Sequence, residues 1–224
     1  MMSCFFSYYG GKSKIVKLYP KPIFDTIIEP FCGAANYSLL YWNNKIVLYD
    51  RYDIIINLWK YLIQASEKDI LSLPILKYNE NLDGYKHLLK EETYLIGFNI
   101  NQGSSSPKKT VKLFNGWNER KRKWISDNLY KIRHWNVFLK DYKDIDNKNS
   151  VTWYCDPPYQ FGGKYYQHKN IDYNHLKNWC LQRYGQIIVC ENNKSNWWDF
   201  IHLISITGQL HKTKEVYKEI INIR

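Results

Sequence analysis

Residues 26–63 alternate two short apolar runs with two helical patterns, and this alternation constrains the fold more than any other feature. "TIIEPF" (26–31) is an apolar run closed by a glycine-containing turn, and "KIVLYD" (45–50) is a second run. "AANYSLLYW" and "DIIINLWKYLI" follow them as helices, with Asp53 as the N-cap of the second. Strand, helix, strand and helix within about forty residues are typical of a parallel sheet with crossover helices.

The same alternation returns in the last third of the chain. Strands are predicted at "WNVFLKDY", "VTWYCD", "QIIVCE" and "EVYKEIINI", with a helix at "DYNHLKNWCLQRYG" that ends at Gly185. The middle differs, because "SEKDILSL", "GYKHLLKEETYLIGFNI" and "ERKRKWISDNLYKIRHW" are helical patterns around a loop rich in Gly, Ser and Pro. The sequence therefore predicts one α/β domain (residues 1–63 and 135–224) interrupted by a helical, basic insertion (residues 64–134).

The positive charge of the chain is concentrated in that insertion. The net charge is +11, and residues 108–133 hold nine Lys and Arg residues against two acidic ones. Basic charge interleaved with Trp and Tyr is typical of polyanion binding. A solvated helix face would explain a charge run alone, so the charge needs support from other features.

Cysteine usage and hydropathy indicate the compartment. The five cysteines form no C-x-x-C pair and His168 and His175 have no ligand-spaced partners, so neither a disulfide framework nor a zinc site is expected. The N-terminal apolar stretch is too short for a signal peptide, and no run approaches the length of a membrane span. We expect a soluble, intracellular protein with reduced thiols and no bound metal.

The stretch "VTWYCDPPYQFGG" carries the most specific chemistry. Its two prolines end the strand and hold Asp156 and Tyr159 in fixed relative positions. An exocyclic amine on a nucleobase is a poor nucleophile, and accepting hydrogen bonds from both its N–H groups frees its lone pair. Asp156 and the Pro157 carbonyl can be the two acceptors, while Tyr159 stacks on the base. Asp156, Pro157, Pro158 and Tyr159 are therefore the candidate catalytic residues.

Two further patterns suggest a ligand site at the first strands. "EPFCGAAN" is a strand–turn–helix junction that can hold a ligand against the free N–H groups at the start of the helix. Its turn contains Gly33, but Ala35 stands where such turns usually have a second glycine, and a plain turn remains the alternative. Asp50 ends the second strand about twenty residues after the first turn, where an acidic side chain accepts hydrogen bonds from ribose hydroxyls. A helix cap is the alternative for Asp50, but Asp53 fills that role better.

A third pattern lies near the N-terminus. "SYYGGKSK" ends like a phosphate-binding loop but has Phe6 where that loop requires a glycine, which excludes the NTPase interpretation. Its Gly-Gly turn can still present Lys12 and Tyr8 to a ligand.

The order of the motifs resembles that of the Dam-type, alpha-class DNA adenine-N6 methyltransferases. The motifs are, in sequence, Tyr-Gly-Gly-Lys, Glu-Pro-Phe-x-Gly, an acidic strand end, a basic insertion and Asp-Pro-Pro-Tyr. The resemblance covers nearly the whole chain, and "GFNINQGSSSPKKT", "IRHWNVFLKDY" and "GQIIVCENN" look like the phage and viral branch. It implies a Rossmann-like S-adenosylmethionine-dependent methyltransferase fold, a mostly parallel sheet with helices on both faces. The basic insertion would then be the target-recognition domain.

The resemblance also implies roles for individual residues. The cofactor-binding set would be Tyr8, Gly10, Lys12, Glu29, Phe31, Gly33, Asp50, Asp141, Tyr142 and Asp156. The DNA-binding set would be Lys108, Lys109, Lys112, Arg120, Lys121, Arg122 and Lys123. Within the first set, Lys12 and its neighbours would contact the methionine end, Asp50 the ribose, and Asp141 with Tyr142 the adenine. The chain departs from the usual pattern at Ala35 and at Tyr8, where other members often have Trp.

The implied reaction is site-specific methyl transfer from S-adenosylmethionine to N6 of adenine in double-stranded DNA. The target base would be flipped out of the helix, and the enzyme would act without metal as a monomer or weak dimer, as in restriction–modification systems. Cytosine N4 is an alternative acceptor, although Asp rather than Ser at the head of the motif favours adenine. Cytosine C5 methylation is excluded by the absence of a Pro-Cys pair. RNA as the substrate is not excluded by the chemistry, but the resemblance argues against it. A further alternative is a catalytically inactive DNA-binding relative, which the intact Asp-Pro-Pro-Tyr and Lys12 disfavour.

Overall fold

A seven-stranded sheet forms the centre of the computed structural model, which describes residues 3–101, 103–112, 115–207 and 212–222. The strands are β1 (Thr26–Glu29), β2 (Lys45–Asp50), β3 (Asn136–Leu139), β4 (Val151–Cys155), β5 (Gly185–Asn192), β6 (Ile201–Thr207) and β7 (Lys212–Asn222). The helices are α1 (Asn36–Leu40), α2 (Asp53–Gln64), α3 (Glu67–Ser72), α4 (Lys90–Ile100), α5 (Glu119–Asn128) and α6 (Tyr173–Leu181). Short 3-10 helices lie at Val16–Leu18, Leu82–Gly84, Leu129–Ile132, Tyr142–Asp144 and Gly163–Tyr165.

The strand order is β3-β2-β1-β4-β5-β7-β6, and β1 to β5 all run parallel. The strand order reverses at β1, which pairs with β2 on one side and with β4 on the other. In doubly wound sheets the crevice outside the carboxyl ends of the strands at this switch point is where ligands bind. The fold class predicted from the sequence, a mostly parallel α/β sheet of Rossmann type, is confirmed.

Helices cover both faces of the sheet because adjacent residues of each buried strand point in opposite directions. Ile27 packs in the apolar cluster that contains Trp59 of α2, and Ile28 packs in the cluster that contains Trp179 of α6. All of β5 is buried, as expected for a strand covered on both sides.

Several predicted bounds need correction. The helix predicted to run to Gly185 ends at Leu181, and Gly185 opens β5 with φ +97°, where an added Cβ would lie 2.1 Å from the Val151 carbonyl oxygen. The strand predicted over "WNVFLKDY" ends at Leu139, and a 3-10 turn follows it. The strand β6 was missed altogether.

Two predicted helices in residues 64–134 are shorter than their patterns. The one at "GYKHLLKEETYLIGFNI" starts only at Lys90, and the one at "ERKRKWISDNLYKIRHW" changes to a 3-10 turn after Asn128. The closing strand β7 is longer than predicted, since it starts at Lys212, and the final residue of "EVYKEIINI", Ile223, lies outside the described residues.

Residues 64–134 contribute to the main core. Phe98, Trp117 and Ile125 belong to the same apolar cluster as Phe5 and Trp59. The bounds of the insertion and its role as a target-recognition domain stay predictions. Within the described ranges, no helix is long and apolar enough to cross a bilayer. The five cysteines are free thiols, and all but Cys4 are buried.

Candidate functional site

A cleft of about 660 Å³, including its open mouth, lies at the carboxyl ends of β1, β2 and β4. The sheet places there the residues that follow each of these strands, and the N-terminal turn closes the cleft from one side. Nine of the sequence-predicted site residues line it: Tyr8, Gly10, Lys12, Glu29, Phe31, Gly33, Asp50, Asp156 and Pro158. The cleft therefore brings together residues that are up to about 150 positions apart in the chain, at the edge where such sheets bind ligands.

Lys12 and Asp156, which both line the cleft, form an ion pair. The two groups lie 2.9 Å apart, Nζ to Oδ1, with 6% and 18% of their side chains exposed. Lys12 also donates to the Gly10 carbonyl at 2.7 Å. Burial raises the pKa of the Asp156 carboxyl, and the Lys12 ammonium partly offsets this. Burial alone would lower the pKa of Lys12, but the attraction of Asp156 and Glu215 leaves it above its ordinary value.

Asp50 organises the turn after β1. Its Oδ2 accepts a hydrogen bond from the Gly33 N–H at 3.1 Å, and its Oδ1 accepts one from the Tyr52 N–H at 2.9 Å. Burial raises the pKa of this carboxyl, and the backbone donors counteract the shift. The Cys32 thiol also donates to Oδ2, at 3.9 Å, so Oδ1 is the oxygen that keeps a lone pair for a hydroxyl donor from a ligand in the cleft.

Glu29 and Asn36 add two buried polar groups to the same wall. The Glu29 Oε1 accepts the Ser38 N–H at 2.8 Å, and burial raises the pKa of Glu29 to about 8. The Asn36 side chain lines the cleft, and its Oδ1 is buried without a hydrogen-bond partner among the described residues. A buried amide oxygen without a partner is costly unless a ligand or water satisfies it.

The residues of this cleft fit S-adenosylmethionine. Lys12 is a cation for a carboxylate, Asp50 is an acceptor for ribose hydroxyls, and Asn36 Oδ1 is an unused acceptor for an amino group. The carboxylates of Asp50 and Asp156 would offset a positively charged sulfur, whereas Glu29, with its pKa raised to about 8, is largely protonated at neutral pH. Asn36 is the last residue of "EPFCGAAN" but was not identified as a site residue, because the motif assigns no role to its side chain.

Asp141 and Tyr142 are not among the residues that line the cleft. Asp141 pairs with Arg51 at 3.3 Å, and the buried Tyr142 ring packs on Phe31 with centroids 5.1 Å apart. Asp141 and Tyr142 thus contact two residues that line the cleft, Arg51 and Phe31. Their predicted contact with the adenine of the cofactor stays a prediction.

A second cavity, about 1000 Å³ including its open mouth, lies next to the cleft and shares Lys12 with it. Tyr159, Asn192 and Glu215 form part of its wall, and the Lys12 ammonium lies 4.6 Å from the centroid of the Tyr159 ring. Tyr159 and Asp156 thus face neighbouring cavities on either side of Lys12. The fixed Asp-Pro-Pro-Tyr backbone explains this arrangement.

The carbonyls of the two prolines differ. The Pro158 carbonyl accepts the Tyr173 hydroxyl at 2.8 Å. No donor from the part of the chain that the structure describes reaches the Pro157 carbonyl. Pro157 lines neither cavity, and its role as an acceptor next to Asp156 stays a prediction.

The segment 160–171 covers both cavities, and sequence reasoning missed its contribution. Tyr166 lines both of them and donates its hydroxyl to the Tyr9 carbonyl at 3.0 Å, while His168 lines the cleft only. The Tyr9 hydroxyl in turn donates to the Gly162 carbonyl at 3.1 Å. No spacing rule links this segment to the N-terminal turn, so the sequence offers no signal for the contact.

The seven basic residues predicted to bind DNA do not form one exposed set. The exposed ones are Lys108, Lys109, Lys112, Arg120 and Lys123. Lys121 and Arg122 turn inward and donate to the carbonyls of Cys4 and Leu73, and burial lowers the pKa of Lys121. Two of the predicted phosphate contacts are therefore engaged inside the protein.

No protein-family model and no curated protein matches this sequence. Among solved structures, one from Haemophilus influenzae that is described as a "putative methylase" aligns with 88% of this chain and 87% of its own, at 10% identity and a TM-score of 0.39. The fold assignment above depends on the strand order and pairing of this chain.

Proposed function

We propose that this protein transfers a methyl group from S-adenosylmethionine to N6 of adenine in double-stranded DNA. The observation that carries the proposal is the position of Asp156, which is paired with Lys12 at the boundary between two adjoining cavities. One cavity fits the cofactor, and the other has Tyr159 in its wall. A methyl donor and an acceptor base would meet at Asp156.

On the donor side, Lys12, Asp50 and Asn36 would hold the cofactor. When bound, S-adenosylmethionine supplies a methyl group on a positively charged sulfur, which makes the methyl carbon electrophilic. The chain's own contribution is orientation, and the carboxyl groups of the cleft favour a cation there.

On the acceptor side, Asp156 and the Pro157 carbonyl would accept hydrogen bonds from the two N–H groups of the amine. These two contacts orient the nitrogen lone pair toward the donor, and the Tyr159 ring supports the base by stacking. Asp156 must be ionised to act only as an acceptor, and the ammonium of Lys12 at 2.9 Å favours that form. Lys12 therefore has a role in both cavities.

Binding of the duplex would depend on the exposed basic residues. Lys108, Lys109, Lys112, Arg120 and Lys123 can contact phosphates, and such contacts make affinity fall with salt. The amine of a stacked adenine cannot reach Asp156, so the base would have to be flipped out of the helix.

The test uses purified protein, S-adenosylmethionine labelled in its methyl group and unmethylated duplex DNA. We expect labelled N6-methyladenine after digestion of the DNA. Asp156→Ala should lower the rate by at least about 10³-fold, because it removes one of two preorganised acceptors. DNA affinity should stay within about twofold, since phosphate contacts dominate it.

The matched control is Asp146→Ala, which removes an exposed carboxylate that lines neither cavity. It should keep wild-type turnover. Near-normal turnover of Asp156→Ala would refute the role of that residue. Labelled N4-methylcytosine would make cytosine the acceptor, and DNA binding without methyl transfer would favour a binding module.

A further inference from the structure

Glu215 reaches the second cavity from β7, which runs antiparallel to both of its neighbours in the sheet. Because β7 is antiparallel to β5 and β6, its first residues lie at the edge where β4 and β5 end. Glu215 pairs with Asn192, the last residue of β5, and it lines the second cavity. The topology thus adds a carboxylate to the candidate acceptor site from a distant part of the chain.

Glu215 contacts Tyr159 directly. Its Oε2 accepts the Tyr159 hydroxyl at 2.6 Å, and Glu215 is only 8% exposed. A hydrogen bond from a hydroxyl to a carboxylate is short and roughly twice as strong as one between neutral groups. The Tyr159 ring is therefore fixed at its hydroxyl by Glu215 and on its face by the Lys12 ammonium.

We propose that Glu215 is a positioning residue for methyl transfer, which holds the Tyr159 ring at the angle needed to stack the acceptor base. This inference rests on the proposed function. The charge of Glu215 also helps to raise the pKa of Lys12, but Asp156 is the larger cause of that shift. Glu215 would therefore act mainly through Tyr159, because it lines the second cavity and is absent from the lining of the cleft. Loss of its charge should therefore affect turnover with the acceptor and leave cofactor binding unchanged.

Three variants test whether Glu215 acts through the Tyr159 hydroxyl. Glu215→Gln keeps the side-chain shape and an acceptor oxygen but removes the charge. Tyr159→Phe keeps the ring and removes the hydroxyl. The double variant asks whether the two changes are independent, as in a double-mutant cycle.

The matched control is Glu219→Gln. Glu219 lies on the same face of β7, about 13 Å further along the strand, and it binds Gln186 at 2.7 Å, away from both cavities. A purely structural effect of losing a carboxylate from β7 would appear in this control as well. The measurements are kcat and KM with unmethylated plasmid DNA, the dissociation constant of S-adenosylmethionine and the thermal midpoint.

We expect Glu215→Gln and Tyr159→Phe each to lower kcat about tenfold, with the cofactor dissociation constant within about twofold of wild type. The double variant should be no slower than Tyr159→Phe alone, and Glu219→Gln should have wild-type kinetics.

Wild-type turnover of Glu215→Gln would overturn the inference while leaving methyl transfer established. Losses that multiply in the double variant would also overturn it, because Glu215 would then act independently of the hydroxyl. A wild-type protein that binds no S-adenosylmethionine and methylates no DNA would instead refute the proposed function, and the inference with it.

Discussion

The cleft at the carboxyl edge of the sheet and the basic segment 108–133 are both rich in charge, but they use it differently. In the cleft, Lys12 and Asp156 are paired with each other, and the Asp50 carboxylate accepts two backbone N–H groups. In the basic segment, most cations face solvent, and three of them, Lys121, Arg122 and Arg133, donate to backbone carbonyls. Charge in the cleft is positioned by strand ends, whereas charge in the segment is distributed around a helix.

This difference determines how well a sequence motif predicts a binding site. Residues directly after parallel strands are carried to one edge of the sheet, so their convergence follows from the strand pattern alone. On a helix, successive residues point about 100° apart, so four consecutive basic residues face all directions. Arg120 to Lys123 are such a run, and because α5 packs on the core, Lys121 and Arg122 must turn inward. A charge run therefore overestimates the size of a binding surface.

The largest expected effect comes from the buried carboxyl of Glu29. Its pKa is about 8 in the folded protein against 4.5 in the unfolded chain. Between these values only the unfolded chain ionises, so the folded state loses roughly 1.4 kcal/mol of stability per pH unit, or about 4 kcal/mol from pH 5 to pH 8. Glu29→Gln should lack this loss and still accept the Ser38 N–H.

Urea unfolding of both proteins at pH 5, 6.5 and 8 measures this difference. The stability of the variant relative to wild type should grow with pH. If the free energies of unfolding of the two proteins differ by the same amount at every pH, the ionisation of Glu29 in the cleft costs no more than that of a surface carboxyl. The contrast drawn between the cleft and the basic segment would then be wrong.

An intermediate effect should separate two neighbouring arginines of α5. Arg122→Ala leaves the buried Leu73 carbonyl without its donor and should lower the free energy of unfolding by about 2 kcal/mol, with an unchanged salt dependence of DNA binding. Arg120→Ala removes an exposed cation and should leave stability unchanged while reducing the slope of log affinity against log salt by about one.

Denaturant unfolding and DNA titrations at several salt concentrations measure both variants. If Arg122→Ala reduces the salt slope as much as Arg120→Ala does, the inward orientation of Arg122 is wrong and the whole run contacts DNA.

The smallest effect compares two glycines with the same backbone angle. Gly10 has φ +75° and Gly103 has φ +74°, so alanine at either should cost about 1 kcal/mol of strain. An added Cβ at Gly10 would lie 2.0 Å from the Tyr166 hydroxyl oxygen, whereas one at Gly103 meets no atom within 4 Å. Only Gly10→Ala should therefore displace Tyr166 and weaken cofactor binding, by about tenfold.

Calorimetric titration with S-adenosylmethionine, alongside thermal unfolding of both variants, measures this pair. Equal cofactor affinity in the two variants would mean that the position of Tyr166 does not affect cofactor binding in the cleft.

The sequence predicted the parts of the site that follow strands and missed those that depend on tertiary contacts. Gly33, Asp50 and Asp156 could be placed because each follows a strand of the parallel sheet. Glu215 and Tyr166 could not, since one needs the antiparallel direction of β7 and the other the path of a loop.

The missed strand has a similar explanation. β6 is one of the two edges of the sheet, and within the described residues it pairs with β7 alone. His202 is exposed within it, so its apolar alternation is weak. Fully buried strands such as β5 have a continuous apolar pattern and were predicted. Strands were therefore predicted from the sequence where burial on both faces restricts the residues to apolar types.

The pairing of β1 with β4 has a consequence for how fast the chain folds. Thr26 lies opposite Val151, 125 residues further along the chain, and the cleft lies at the carboxyl end of this strand pair. Closing so long a loop costs conformational entropy before any contact rewards it, and pairings of this kind slow folding. We therefore expect this junction to assemble late, with protection of the β1 and β4 amides from hydrogen exchange developing after that of α2 during refolding.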